Sequence, residues 1–170
     1  AGYTDVIDFT GCNRPGPIVE FINNVFVGAT DDVLDFDGTD AWVEGNIFLH
    51  AHRNGSPNSS SAVSGGSNAG RTSEFTVIGN IFYDIDQAAT AKQGNFYTLI
   101  NNTIVRQTRV GGMDTDAGVL NFADPGAAEA AGMYLEGNII HDAEKLTRNL
   151  KSAQVTFTNN LMSFEWTGPG

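Results

Sequence analysis

Apolar and polar residues alternate in short runs along this chain, and the runs return at a fixed interval. Apolar pairs two residues apart occur at Ala41/Val43, Phe75/Val77, Tyr97/Leu99, Met133/Leu135 and Val155/Phe157. Between their members sit Trp42, Thr76, Thr98, Tyr134 and Thr156. A period of two predicts strands, with the pairs turned inward and the intervening residue outward. Three residues after each pair comes an Asn, giving Asn46, Asn80, Asn102, Asn138 and Asn160, with Asn24 heading the series. Successive spacings are 22, 34, 22, 36 and 22 residues. The two longer intervals read as the same unit with 12 and 14 residues inserted, placing loops at about 53–73 and 109–131.

A unit of this length with one Asn at a fixed place among short strands predicts a coil of a parallel β-helix. Each strand then pairs with its counterpart about 4.8 Å away in the next coil, so equivalent residues stack into columns. The Asn column can bond amide to amide as a ladder. Two places on, Phe26, Phe48, Phe82, Ile104, Ile140 and Met162 form an unbroken apolar column for the core. Val6–Gly11 matches Val33–Gly38 almost position for position, which carries the register to the start of the chain. The expected fold is all-β: a right-handed parallel β-helix of about five to six coils forming one domain over 1–170, with two inserted loops. Its first coil opens in mid-turn. That calls for an unrecognised capping segment, a longer parent chain, or self-association through the uncapped coil end. At the other end Trp166 is placed to fold over the last coil. Leucine-rich repeats are excluded because Leu is missing at fixed offsets.

Charge narrows the partners. Twenty acidic residues against nine basic ones give a net charge of −11. Nucleic acid and anionic membrane surfaces both need clustered Lys and Arg, so neither is expected. No apolar run is long enough to span a bilayer. Cys12 is the single cysteine, so no disulfide forms within the chain.

Two groups of residues carry candidate chemistry. Four places after the ladder Asn stand Gly28, His50, Asp84, Arg106 and Asp142; six places after it stand Thr30, His52, Asp86, Thr108 and Glu144. Their polarity predicts an outward face, separated from the apolar column by a turn or bulge. As a polar groove for a sugar chain this face would bind through His50, His52, Asp84, Asp86 and Arg106; otherwise it is a solvated face held by weak cross-strand pairs. Two His without a third nitrogen ligand make a poor zinc site. The second group is the run Asp31–Asp40, with five carboxylates in ten residues, beside which Asp8 of the preceding coil should lie. Unpaired, these charges repel, and calcium bound by Asp31, Asp32, Asp35 and Asp37 would relieve the repulsion. Turn-making Asp side chains are the alternative. An EF-hand is rejected, since Val33 occupies its first ligand position. Lys92 falls over the inward Phe36 by a strict count; a slip of one residue places it on the outer face, above Asp35 and Asp37. The Ser-rich stretch 56–67 reads as a flexible loop. Asn54, Asn58 and Asn101 open glycosylation sequons.

Over Val6 to about Met162 the chain resembles the pectate-lyase-like superfamily of right-handed parallel β-helices with short Asn-laddered repeats. That resemblance implies an extracellular or secreted protein acting on, or binding, polysaccharide. Many members cleave acidic polysaccharides by β-elimination, with Asp-bound calcium neutralising the uronate. By analogy Asp35 and Asp37 would be calcium ligands, Lys92 the base and Arg106 a substrate clamp. Two functions stay open: a non-catalytic carbohydrate-binding or structural module, and a calcium-dependent polysaccharide lyase or related carbohydrate-active enzyme. Flat Thr arrays of an ice-binding face are missing.

Overall fold

A computed structural model describes residues 3–53, 59–108, 118–124 and 126–163. Among them every regular element is a strand, and the strands wind through six coils. The first coil holds β1 (Ile7–Asp8), β2 (Val19–Ile22) and β3 (Val25–Ala29); the second holds β4 (Leu34–Asp35), β5 (Ala41–Glu44) and β6 (Ile47–Ala51). The third contains β7 (Ser61–Gly65), β8 (Glu74–Ile78) and β9 (Ile81–Ile85), and the fourth β10 (Gln87–Ala91), β11 (Phe96–Ile100) and β12 (Thr103–Gln107). Next come β13 (Leu120–Asn121), β14 (Gly132–Glu136) and β15 (Ile139–Ala143), then β16 (Thr147–Arg148), β17 (Gln154–Thr158) and β18 (Leu161–Met162). The first strands of all six coils form one sheet, the second strands another and the third strands a third, all parallel. The protein is a right-handed parallel β-helix.

The Asn ladder explains why the coils stay in register. Each interior carboxamide uses all of its bonding capacity. Asn80 Oδ1 accepts the Asn46 backbone N–H at 2.8 Å and Asn46 Nδ2 at 3.0 Å. Asn80 Nδ2 in turn donates to Val43 O at 2.9 Å and to Asn102 Oδ1 at 3.0 Å. The same pattern continues through Asn102, Asn138 and Asn160. The residue before each ladder Asn lies in the left-handed region: Asn23, Gly45, Gly79, Asn101, Gly137 and Asn159, with φ between 53° and 66°. Only Gly and Asn fill that column, the two residues that adopt this conformation most cheaply. Where Asn23 and Asn101 lean over the next coil, Gly45 and Gly137 leave room for their Oδ1 atoms.

The core follows the predicted columns. Phe26, Phe48 and Phe82 stack at centroid distances of 5.1 and 4.9 Å, and Ile104 and Ile140 extend the column fully buried. Phe75 stacks on Tyr97 at 4.3 Å. Trp42, Thr76, Thr98, Tyr134 and Thr156 face outward, half-buried.

Two expectations change. Both long intervals contain a strand of the first sheet, β7 within 53–73 and β13 within 109–131, so the excursions are shorter pieces on either side of that sheet. The Ser-rich stretch is therefore not a loop throughout: Ser61–Gly65 is a fully buried strand, and Gly65 leaves room there for the Phe36 carbonyl and the Tyr97 hydroxyl. Trp166, Asn54 and Asn58 lie outside the described residues.

Candidate functional site

The first sheet gathers charge on its outer face. Parallel pairing sets Asp8 beside Asp35, and Asp35 beside Ser64 and then Thr90. One column over, Ser61 pairs with Gln87, and Asp5 lies against Asp32, whose backbone N–H it accepts at 3.0 Å. Arg53 and Ser59 rise on one side of the sheet and Asp124 on the other. Together they enclose a polar cleft of about 300 Å³, floored by Asp5, Asp32, Asp35, Gln87 and Asn121 and crossed by Lys92.

The carboxylates of Asp5, Asp32 and Asp35 offer oxygens within 4.8 Å of one another. Asp32 Oδ1 accepts the Ser61 N–H at 2.8 Å. Asp35 Oδ1 is buried with no hydrogen-bond partner. Burial, with Asp35 as its charged neighbour, pushes the Asp32 carboxyl up to about 8. Burial likewise pushes Asp35 up to about 6, although Lys92 opposes the shift. Asp31 is drawn aside by Arg53 at 2.8 Å, and Asp37 accepts the Gly66 N–H at the rim. Of the four Asp expected to hold a cation, Asp32 and Asp35 are the two that converge with a third carboxylate, and that third is Asp5, which the expectation did not include. Asp5 was legible: extending the Val6–Gly11 match to Val33–Gly38 by one residue sets it over Asp32. Arg53 and Asp124 come from the excursions and carried no comparable signal.

Lys92 takes the slipped register. Ala91 pairs with Gly65 and Asp35 with Ser64, so Lys92 stands above Gly66 and Asp37 rather than over Phe36. Its Nζ lies 2.8 Å from Asp124. Burial alone would lower the ammonium, but Asp124, Asp35 and Asp32 outweigh it and raise its pKa, keeping it charged.

The second candidate group lies on the third sheet, apart from this cleft. Its residues four places after the ladder Asn adopt the left-handed conformation, with φ 58° at His50, 57° at Asp84, 61° at Arg106 and 53° at Asp142. The backbone there bulges as the polarity required. His50 Nδ1 lies 2.6 Å from Asp84, and Arg106 Nε 3.4 Å from it. Burial would raise Asp84, but His50, His52 and Arg106 hold it below the usual carboxylate range. His52 and Asp86, expected on the same outer face, turn inward instead, because the bulge breaks the period of two. Asp86 is fully buried and accepts His52 Nδ1 at 2.7 Å and the backbone N–H groups of Arg53 and Ser60. It ties the β6–β7 connection at both ends. Burial would lower His52, but its bond to Asp86 and the charge of both carboxylates raise it. Arg106 thus lies on the third sheet, whereas Lys92, Asp32 and Asp35 share the first-sheet cleft.

The acidic floor has a consequence for stability. In chelator, Asp32 and Asp35 stay protonated in the fold at pH values where the unfolded chain has ionised. The native state then binds more protons between pH 4 and about 8, so stability falls as pH rises through that window. The melting temperature should drop by roughly 5 °C or more from pH 5 to 8. Asp32→Asn should flatten the slope in differential scanning calorimetry; an unchanged slope would refute this account.

Comparison with family models, with curated proteins and with solved structures found no match. What fold and site define is a right-handed parallel β-helix with an acid-floored, cation-walled cleft on its first sheet.

Proposed function

We propose that this β-helix is a non-catalytic carbohydrate-binding module whose ligand sits in the first-sheet cleft, with calcium on its floor. The observation that carries the reading is the polar wall. Lys92, Arg53, Gln87 and Asn121 line one cleft together with the Asp groups and offer donors and acceptors for sugar hydroxyl and carboxylate groups. The parallel β-helix fold is compatible with this reading, and the resemblance of the sequence to pectate-lyase-like repeats favours a polysaccharide and an extracellular setting. The charged state of Lys92 favours binding over β-elimination: a protonated ammonium clamps an anionic group but takes no proton from C5.

The floor fits calcium on chemical grounds. Its donors are hard oxygens, and one of them, Asp35 Oδ1, is buried without a partner. Asp5, Asp32 and Asp35 would hold the ion, and bound calcium would supply positive charge for a uronate or hydroxyl oxygen. Calorimetry is expected to show calcium binding that Asp35→Asn weakens at least tenfold (about 1.4 kcal/mol or more). Oligosaccharide added afterwards should bind with no rise in absorbance from an unsaturated product. Such a rise would replace the reading with the lyase; absence of any sugar binding, with or without calcium, would leave the cleft without its ligand and overturn the proposal.

A further inference from the structure

Among the described residues, ten large apolar side chains stand exposed, and six of them share the outer face of the third sheet. They are Val25, Val27, Ile81, Tyr83, Ile139 and Leu161, with Leu161 68%, Val27 66% and Val25 62% exposed. Exposed apolar side chains scattered singly are ordinary; gathered on one flat sheet they mark a contact surface. The charge is equally uneven. In a chain of net charge −11, the strands of this sheet carry only two carboxylates and one guanidinium, with His50 and His141. This is where an otherwise acidic molecule can approach another copy with the least repulsion.

The order of side chains favours a copy of the chain itself. Read from the second coil to the fifth, the left-handed column is His50, Asp84, Arg106 and Asp142. A two-fold axis running along the strand direction, midway between β9 and β12, turns this column antiparallel to itself. Asp84 then meets the partner's Arg106, and His50 meets the partner's Asp142. The same operation sets Val25 against the partner's Leu161 and Ile47 against the partner's Ile139. Tyr83 meets the partner's Val105 as well, while Ile81 meets Thr103 and Leu49 meets His141; both charged pairs and three of the apolar pairs therefore match, the kind of self-complementarity an isologous interface requires.

We propose that the third sheet is a homodimer interface, two copies packing face to face with their solenoid axes antiparallel. Facing sheets of this kind lie about 10 Å apart. Six strands at about 4.8 Å spacing give a patch about 24 Å long, and five residues at about 3.3 Å make it about 16 Å wide. A patch of that size covers about 400 Å² on each copy, the range of weak and transient contacts, so the dimer should form at about tens to hundreds of micromolar. The interface stands apart from the sugar-binding reading, since the cleft lies on the first sheet and stays open in the dimer.

Sedimentation velocity over a concentration series from about 1 to 200 μM tests this. The wild type should pass from monomer to dimer. Ile81→Lys and Arg106→Asp should each raise the dissociation constant at least tenfold, and adding Asp84→Arg to Arg106→Asp should restore it. Circular dichroism and melting establish that each variant is folded, and Val27→Lys replaces Ile81→Lys should the latter fail. A wild type that stays monomeric overturns the proposal. So does a dimer indifferent to these substitutions, which would place the contact at an open coil end. Failure of the charge swap to restore association would overturn the antiparallel register.

Discussion

Asn80→Asp should be among the most damaging single-atom changes available in this protein. The substitution keeps shape and both acceptors but removes two donors. Val43 O and Asn102 Oδ1, which now accept from Asn80 Nδ2, would face a carboxylate oxygen in a site that is 1% exposed. Two buried acceptors left facing a third oxygen, with a charge added, should cost about 4 kcal/mol or more. For a chain of this size that corresponds to a fall in melting temperature of roughly 10 °C or more. Acidification should restore part of the loss, because the new carboxyl stays protonated in the fold well above its unfolded pKa, and the penalty grows as pH rises through that window. Asn24→Asp serves as the contrast: Asn24 is exposed and its Nδ2 reaches only Asn46 Oδ1 and Ile22 O, so the loss should stay near 1 kcal/mol. Equal melting temperatures for the two variants would show that the ladder is not what locks the coils.

Gly132→Ala acts through space rather than conformation. A Cβ at Gly132 would fall onto the carbonyl oxygen of Gln154, its pairing partner in β17. Strand backbone cannot retreat as a flexible side chain can. The last coil must therefore shift away from β14, at about 2–4 kcal/mol. Hydrogen exchange should register this locally, as lost protection in β17 and β18 with β5 and β8 little changed. Uniform loss across all coils, or none, would contradict the packing described.

Most of the fold was legible because a parallel β-helix repeats its chemistry. One Asn and one apolar residue recur at fixed offsets in every coil, and the Asn ladder and the Phe column follow from that repetition. Strands β7 and β10 escaped because Ser61–Gly65 and Gln87–Ala91 are buried on both faces yet built of small residues, so they show neither alternation nor an apolar run. The bulge was legible from polarity alone, since no flat strand could turn the Phe column inward and His50, Asp84 and Arg106 outward. Its effect on the following residues was not, which is why His52 and Asp86 are structural rather than exposed. Within the cleft, the run Asp31–Asp40 announced itself, but its members divide: Asp40 accepts the backbone N–H groups of Arg14 and Glu74 and serves the fold, while Asp32 and Asp35 face the cleft. Spacing along the chain cannot separate these roles; the partners supplied by other coils do.

The corners of the coil differ in what they tolerate. Between the second and third sheets the turn is two residues long in all six coils, a left-handed residue followed by the ladder Asn. The two corners that flank the first sheet range instead from a single residue, Asp86 between β9 and β10, to excursions several times longer. Added length on that side leaves the Asn ladder untouched, whereas one extra residue at the opposite corner would break it. The solenoid is thus conservative along one edge and open to rewriting along the other two, so a new ligand preference can be grafted around the cleft, coil by coil, without redesigning the support beneath it.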